Sequence, residues 1–474
     1  MSFLLAAAAI CASGYALLRA IGLATGRSSV DLPLSWFAGG AWVGLASFTA
    51  RGLLGIPSGP ATAIVVLALP AAGWAVARRR VRGLGARGDG GARWLPRPAW
   101  LFAPMAAWTA AVAVAVLLHG LATPVHTDDS YRVRALAPIL AATGAWNDAA
   151  RDAIAVAGPV PTYVPSLAWV LGAGIDPVHV SASVVLTFLA LLTLLVALGS
   201  ERGVPEAGWG AAFAITSMPF FGYHSASTYA DAWLGMYLAA AFAFLVALAR
   251  TGAPADAGRA MLLLVGAALV KREGELLVLP VVAVLLAQVA WRERTVRGTL
   301  GPIGLLLGAY LLAVAARVAA VGAASAFPFL RAAAERSVGA APEAAAAAAG
   351  EVAQAGPGAG AILLRAMFTD GDLGILWWVF LASLLLLAPR LRREGLAWAL
   401  LALGMVLAET AASATWLYPQ FTLDHGTVHR SLLPVSAAAA VWLAWLLGSP
   451  IAPPGRPEAE ARRRSRKEPR RRGG

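Results

Sequence analysis

The sequence predicts an all-α membrane protein, a polytopic bundle of about thirteen transmembrane helices. Two observations support this fold class. Hydrophobic residues make up 59% of the 474 residues and charged residues only 13%, whereas a soluble domain carries about 25% charged residues. Apolar runs also recur along the whole chain, and a helix needs roughly 20 mostly apolar residues to cross a bilayer. A soluble enzyme is therefore excluded.

The predicted spans follow the apolar runs. The first is interpreted as a retained helix because no basic segment precedes it. The single cysteine, Cys11, lies in this run, so no intramolecular disulfide is expected. In residue numbers, the spans are predicted at 3–23, 33–50, 60–77, 100–119, 181–198, 208–221, 230–248, 260–270, 276–290, 300–320, 374–387, 396–408 and 431–447.

The segment 260–290 is interpreted as two spans rather than one. Its middle contains Lys271, Arg272, Glu273 and Glu275, and a single crossing would place all of these charges in the bilayer, where each is costly. We therefore predict two short helices that meet at Gly274, with the tip of the hairpin in a water-filled cavity.

Basic segments orient the bundle, because Lys and Arg are enriched in cytoplasmic loops. Residues 78–97 hold seven Arg and one Asp, and the tail 451–474 is also strongly basic. Placing both in the cytoplasm puts the other basic loops on the same side and the N-terminus outside. The chain then divides into N-terminal spans (1–98), a core (99–450) and a basic cytoplasmic tail that is predicted to be disordered. Because the excess charge flanks membrane spans, no nucleic-acid partner is expected.

On this topology the noteworthy polar residues are all external, in the segments 126–165, 224–231, 271–275 and 418–430. The large external loops are predicted at 120–178, 321–370 and 411–430. These loops are expected to contain short amphipathic helices. Carboxylates there can take a proton from a nucleophile. Lys, Arg and His can hold a phosphate and stabilise the charge that grows on it as it leaves. The simplest substrate that would carry a phosphate at the membrane surface is a lipid phosphate.

Several landmarks follow one another on this side of the chain, and their order resembles that of a known family. They are Asp128-Asp129, Tyr163-Val164-Pro165-Ser166-Leu167, Tyr229-Ala230-Asp231-Ala232, Lys271-Arg272-Glu273-Gly274 and His429-Arg430-Ser431-Leu432-Leu433-Pro434. Over roughly residues 100–450, the chain resembles the GT-C-type glycosyltransferases. The resemblance is to their bacterial multi-spanning branch, which includes relatives of the protein O-mannosyltransferases and the lipid A aminoarabinose transferases.

The resemblance implies a polyprenyl-phosphate-linked sugar as donor, an acceptor that is a glycan, a lipid or a protein, and inversion at the anomeric carbon. It also implies an extracytoplasmic active site in the inner (plasma) membrane. Asp128 or Asp129 would be the general base or would orient the acceptor. Lys271, Arg272 and Arg430 would bind the donor phosphate, with His429 assisting. The residues expected to contact the acceptor or to support the site are Tyr163, Tyr229, Asp231, Glu273 and His425.

A divalent metal stays open as a cofactor, since some members of the family use one and others do not. Asp128, Asp129 and Asp231 offer the hard oxygen ligands that such an ion prefers. His425 and His429 are four residues apart and would share a helix face. Without a third ligand they do not predict a zinc site.

Three other functions stay open at this stage. A lipid-linked glycan polymerase or ligase would need similar basic groups but would use a diphosphate donor. A transporter or flippase would show inverted repeats and polar residues at the midplane of the membrane, and the sequence contains no evident internal repeat. A purely structural scaffold would tolerate the loss of Asp128, Asp129 and Lys271. The polar residues gather on one side, which favours an enzyme.

Overall fold

The computed structural model describes residues 2–78, 94, 96, 98–122, 136–143, 158–292, 297–321, 359–388, 391, 396–412 and 425–448. Within these ranges the regular structure is helical, and no strand occurs. The prediction of an all-α fold is confirmed for this part of the chain.

Seventeen α-helices are described, numbered here in chain order. They are α1 Ser2–Ala20, α2 Ser28–Gly52, α3 Pro60–Arg78, α4 Ala99–Ala122, α5 Leu136–Thr143, α6 Pro159–Ala168, α7 Val178–Glu201, α8 Pro205–Thr216, α9 Pro219–Ser225, α10 Ala230–Thr251, α11 Pro254–Ala268, α12 Arg272–Arg292, α13 Arg297–Val321, α14 Ala359–Phe368, α15 Leu376–Leu386, α16 Ala397–Ala412 and α17 His425–Gly448. A short π-helical turn, Trp169–Ala173, follows α6.

Six of these helices are long and apolar enough to cross a membrane, and shorter apolar helices occur in α12, α13, α15 and α16. Such a set of apolar helices indicates a protein that is embedded in a lipid bilayer. Each predicted span overlaps a helix in the structure. The predicted span 208–221 is broken, however, because Met218 has an extended backbone and Pro219 starts a new helix. Proline disfavours helical geometry in the residue before it.

The helix α10 forms the centre of the bundle, and its apolar segment is completely buried. It packs mainly against α17, α11 and α7. Alanine is frequent on α10 and α17, including 239–241 and 437–440. Small residues let helix backbones approach closely. This close packing is important in lipid, because burying apolar side chains between helices gives little hydrophobic free energy when the solvent is itself apolar.

The segment 260–290 was predicted to form two helices, and it does, although the turn between them lies earlier than predicted. The helix α11 ends at Ala268, and α12 begins at Arg272. Gly274 was predicted to be the meeting point, but it lies inside the first turn of α12. Lys271 lies in the turn itself, whose backbone bonds include Val270 N–H to the Ala267 carbonyl (3.1 Å).

Charged residues lie at both ends of α10, which are about 33 Å apart for 22 residues of helix. At one end Arg259 pairs with Asp256 (2.7 Å), Asp256 also pairs with Arg202, and Glu201 pairs with Arg27. We call this the Arg259 end. The other end, where α10 begins, is called the Lys271 end after the residue that pairs with its first turn. The ion pairs thus join loops that the predicted topology places on the same side.

Candidate functional site

The centre of the Lys271 end is an ion pair between Lys271 and Asp231. The Lys271 Nζ atom lies 2.8 Å from Asp231 Oδ1, with the lysine side chain 17% exposed and the aspartate 8% exposed. Asp231 belongs to the first turn of α10, where a negative charge is also favoured by the helix dipole. A pair of charges this deep must be held by direct contact, because desolvation of either charge alone is costly.

The turn that carries Lys271 is held in place by the start of α6. Val160 N–H donates to the Leu269 carbonyl oxygen at 3.0 Å. Gly158 precedes α6 with φ +71°, and a Cβ atom there would lie 2.4 Å from the Val270 carbonyl oxygen. Only glycine combines a positive φ with this approach of two backbones. The contact fixes the position of the residue before Lys271.

Arg430 approaches the same stretch of α10 from the last helix. Its guanidinium carbon lies 4.9 Å from the centre of the Tyr229 ring, a cation–π distance. Tyr229 precedes α10 directly and is two residues from Asp231. Arg430 and Lys271, which are far apart in sequence, therefore border one short segment, residues 229–231.

His429 faces a pair of carboxylates contributed by the segment before α15. Its Nε2 atom lies 3.3 Å from Asp370 Oδ2 and 3.4 Å from Asp372 Oδ2. Asp370 also accepts a hydrogen bond from Arg365 Nε at 2.7 Å. The Asp372 side chain is 43% exposed, so this carboxylate reaches the surface while the histidine is buried.

A group of aromatic rings connects these two charged contacts. His224 is buried and packs edge-on against Phe220 (4.3 Å), Tyr223 (5.1 Å) and Tyr229 (4.9 Å) between ring centres. Phe220 also packs against the His429 ring at 5.8 Å. The rings therefore form a continuous surface between Tyr229, which meets Arg430, and Phe220, which meets His429.

A second ion pair lies deeper in the bundle. Arg317 Nη1 and Glu275 Oε1 are 3.1 Å apart, and both side chains are buried. Glu275 lies in the first turn of α12, four residues after Lys271. The pair joins α12 to α13 and so restrains the helix that follows the Lys271 turn.

The structure brings together five of the predicted site residues at one end of the bundle. They are Tyr229, Asp231, Lys271, His429 and Arg430. Tyr163 is buried among the helices and packs against Phe48, with ring centres 6.4 Å apart. The predicted role of Tyr163 at the site stays a prediction.

The other predicted residues are described in part or not at all. Asp128 and Asp129 lie outside the described residues. Arg272, Glu273 and His425 occupy described backbone positions at the starts of α12 and α17, but their side chains lie outside the description. Their proposed roles stay predictions.

Asp370, Asp372 and Phe220 also lie at the Lys271 end, but they were not predicted from the sequence. The acids stand in a polar turn, residues 369–374, where Gly371 and Gly374 adopt positive φ. Two acids in a glycine-containing turn directly before an apolar run are a signal that sequence reading can detect. It was missed because it follows residues 339–360, a stretch made mostly of Ala and Gly.

The described residues contain no group of three His, Cys, Asp or Glu side chains arranged to hold a metal ion. Among the three aspartates predicted as oxygen ligands, Asp231 is described, and it is paired with Lys271. A metal site that includes Asp128 and Asp129 stays a prediction. The described side chains at this end are cations and carboxylates beside an aromatic surface.

Comparison with protein-family models, with curated proteins and with solved structures found no match to this chain.

Proposed function

We propose that this protein is a GT-C-type membrane glycosyltransferase that moves a sugar from a polyprenyl-phosphate donor to an extracytoplasmic acceptor. The proposal includes about thirteen spans, a location in the inner membrane, and an active site at the Lys271 end. One observation supports it most directly. Lys271 and Arg430, from separate parts of the chain, both contact the start of α10 at residues 229–231.

The proposed reaction begins with an acceptor hydroxyl that attacks the anomeric carbon of the donor sugar. A bond forms between the acceptor oxygen and this carbon, and the bond from the carbon to the phosphate oxygen breaks. The bonding electrons leave with the lipid phosphate, and the hydroxyl proton passes to a carboxylate. We assign that carboxylate to Asp128 or Asp129. Asp372, half-exposed beside His429, is a second carboxylate at the same end.

Lys271 and Arg430 stabilise the leaving phosphate in this proposal, with Arg272 and His429 assisting. Donors fixed in a water-poor site stabilise growing negative charge without reorganising during the reaction. The contacts to Asp231 and Tyr229 would hold Lys271 and Arg430 in position before the donor arrives. Asp231 and Tyr229 therefore act as positioning residues.

The experiment is an assay of purified protein in lipid nanodiscs with a panel of polyprenyl-phosphate sugars, scoring the release of free lipid phosphate. Lys271→Ala and Arg430→Ala should each lower the rate by about a hundredfold, the typical effect of removing one donor to a growing oxyanion. Arg19→Gln is the matched control, because Arg19 contacts Tyr15 within α1 and has no proposed role in the reaction. The double variant with Lys271→Ala and Arg430→Ala completes the test. If it accumulates at the normal level and still transfers sugar at the full rate, these roles are ruled out.

A further inference from the structure

The buried ion pair between Arg317 and Glu275 has no part in the proposed transfer. The Arg317 side chain is 2% exposed and the Glu275 side chain 8% exposed, with Nη1 and Oε1 3.1 Å apart. Charged side chains inside a membrane bundle are costly, and replacing a buried ion pair by apolar residues is often neutral or even stabilising. Stability alone therefore does not account for this pair.

Lys271 stands between two carboxylates. Its Nζ atom contacts Asp231 Oδ1 at 2.8 Å, and Glu275 follows it by four residues, in the first turn of α12. The Lys271 carbonyl oxygen accepts a hydrogen bond from Gly274 N–H at 2.9 Å, so Lys271 belongs to this turn. Side chains four residues apart on a helix are neighbours. Glu275 is therefore placed to compete with Asp231 for the Lys271 ammonium group.

The backbone of this turn has little freedom to shift. A Cβ atom on Gly274 would lie 2.5 Å from the Ala267 carbonyl oxygen and 3.1 Å from the Leu234 Cδ1 atom, so the turn packs tightly on α11 and α10. With the backbone held in place, the direction of the two carboxylates decides which of them the ammonium group contacts. The Arg317 guanidinium draws the Glu275 carboxylate toward α13.

We infer that Arg317 is a positioning residue for Lys271: it holds Glu275 on the α13 side and leaves the Lys271 ammonium group in contact with Asp231. When Arg317 is removed, the Glu275 carboxylate turns to Lys271, because a charge-assisted hydrogen bond compensates a buried charge. The ammonium group is then held by two carboxylates. The inference rests on the proposed function only for the use of Lys271 in sugar transfer.

The experiment measures the reactivity of the Lys271 amine, because the chain contains only two lysines, Lys271 and Lys467. In a Lys467→Arg background in lipid nanodiscs, acetic anhydride acetylates Lys271, and mass spectrometry of the peptide that contains it gives the rate. Arg317→Met should slow this acetylation by about tenfold or more, because acylation needs the free amine and one more charge-assisted hydrogen bond is worth about that factor. The double variant with Arg317→Met and Glu275→Gln should recover the original rate.

Arg259→Met is the matched control. It also removes a buried arginine from an ion pair, since Arg259 Nη1 lies 2.7 Å from Asp256 Oδ1, but at the other end of α10. Its Lys271 should be acetylated at the background rate. If Arg317→Met does not accumulate, Arg317→Gln replaces it, and a change in the same direction is expected because the amide carries no charge. Equal rates in the Arg317 variant and the control, or no recovery in the double variant, would overturn the inference.

Release of lipid phosphate by the same proteins separates this inference from the proposed function. If the unaltered protein releases none from any donor, the proposed function fails, while the acetylation rates still test the role of Arg317. If it does release lipid phosphate, Arg317→Met should lose transfer together with Lys271 reactivity, and the double variant should recover both. Slow acetylation with full transfer would keep Arg317 as the positioning residue and remove Lys271 from the proposed reaction.

Discussion

Lys271 and Asp231 should behave as a coupled pair in stability as well as in activity. Their 2.8 Å contact is largely buried, and residues in one ion-pair network typically show coupling energies of roughly 0.5–3 kcal/mol. The Lys271→Ala Asp231→Ala double variant should therefore be more stable than the sum of the single variants predicts. Thermal unfolding of the four proteins in nanodiscs measures this coupling. Simple additivity would mean that the pair contributes nothing beyond its separate members.

Arg430 should need an aromatic partner, and Tyr229 supplies the ring beneath its guanidinium. Tyr229→Phe keeps the ring and should retain this contact, whereas Tyr229→Leu should lose it at a cost of about 0.5–2 kcal/mol, the usual range for a cation–π contact. Chemical unfolding in mild detergent compares the two variants. Equal losses would indicate that the hydroxyl group, rather than the ring face, holds this position.

Residue type and order were enough to single out Lys271 and Arg430, whose role in a site stays a prediction. Their contacts with Asp231 and Tyr229 required the structure. Lys271 and Arg430 stand out because charges beside apolar runs are costly in lipid. The contact of His429 with Asp370 and Asp372 joins positions about sixty residues apart, and no local pattern encodes that distance. Local rules set the helices, whereas tertiary packing decides which loops meet.

At the scale of elements, the crossing of α1 and α2 depends on two glycines that touch the facing backbone. A Cβ atom on Gly39 would lie 2.1 Å from the Ile10 carbonyl oxygen, and one on Gly14 would lie 1.9 Å from the Ser35 carbonyl oxygen. Gly39→Ala should therefore force the helices apart and cost about 1–3 kcal/mol, as overpacking usually does. Thermal unfolding in nanodiscs measures the loss.

Gly73→Ala is the control for this crossing. Its added Cβ atom would meet the Ala20 Cβ atom at 3.8 Å, an ordinary contact, and alanine is the better helix former. The Gly73→Ala variant should match or exceed the unaltered protein in stability. Equal stability of the two alanine variants would show that the α1–α2 crossing tolerates separation.

Helices were easier to predict than their boundaries. Apolar runs located the spans because bilayer thickness sets a minimum length for each helix. The runs did not show that 208–221 breaks before Pro219, or that the 254–292 hairpin turns before Arg272. At the first place the chain stays apolar through the break, so hydropathy alone gives no signal. At the second, the charges at 271–275 indicated a turn but not the residue at which it occurs.

At the scale of the whole molecule, the two ends of α10 should face opposite sides of the membrane. The 33 Å that separate them, about 22 residues of helix, match a hydrocarbon core of about 30 Å. Thr369 and Thr251 are exposed residues at the Lys271 end and the Arg259 end respectively. In a Cys11→Ser background, Thr369→Cys should react with a membrane-impermeant maleimide in intact cells, and Thr251→Cys only after permeabilisation. Reaction of both cysteines from one side would contradict a bundle in which α10 crosses the membrane. The reverse pattern would place the Lys271 end in the cytoplasm and would contradict the proposed extracytoplasmic transfer.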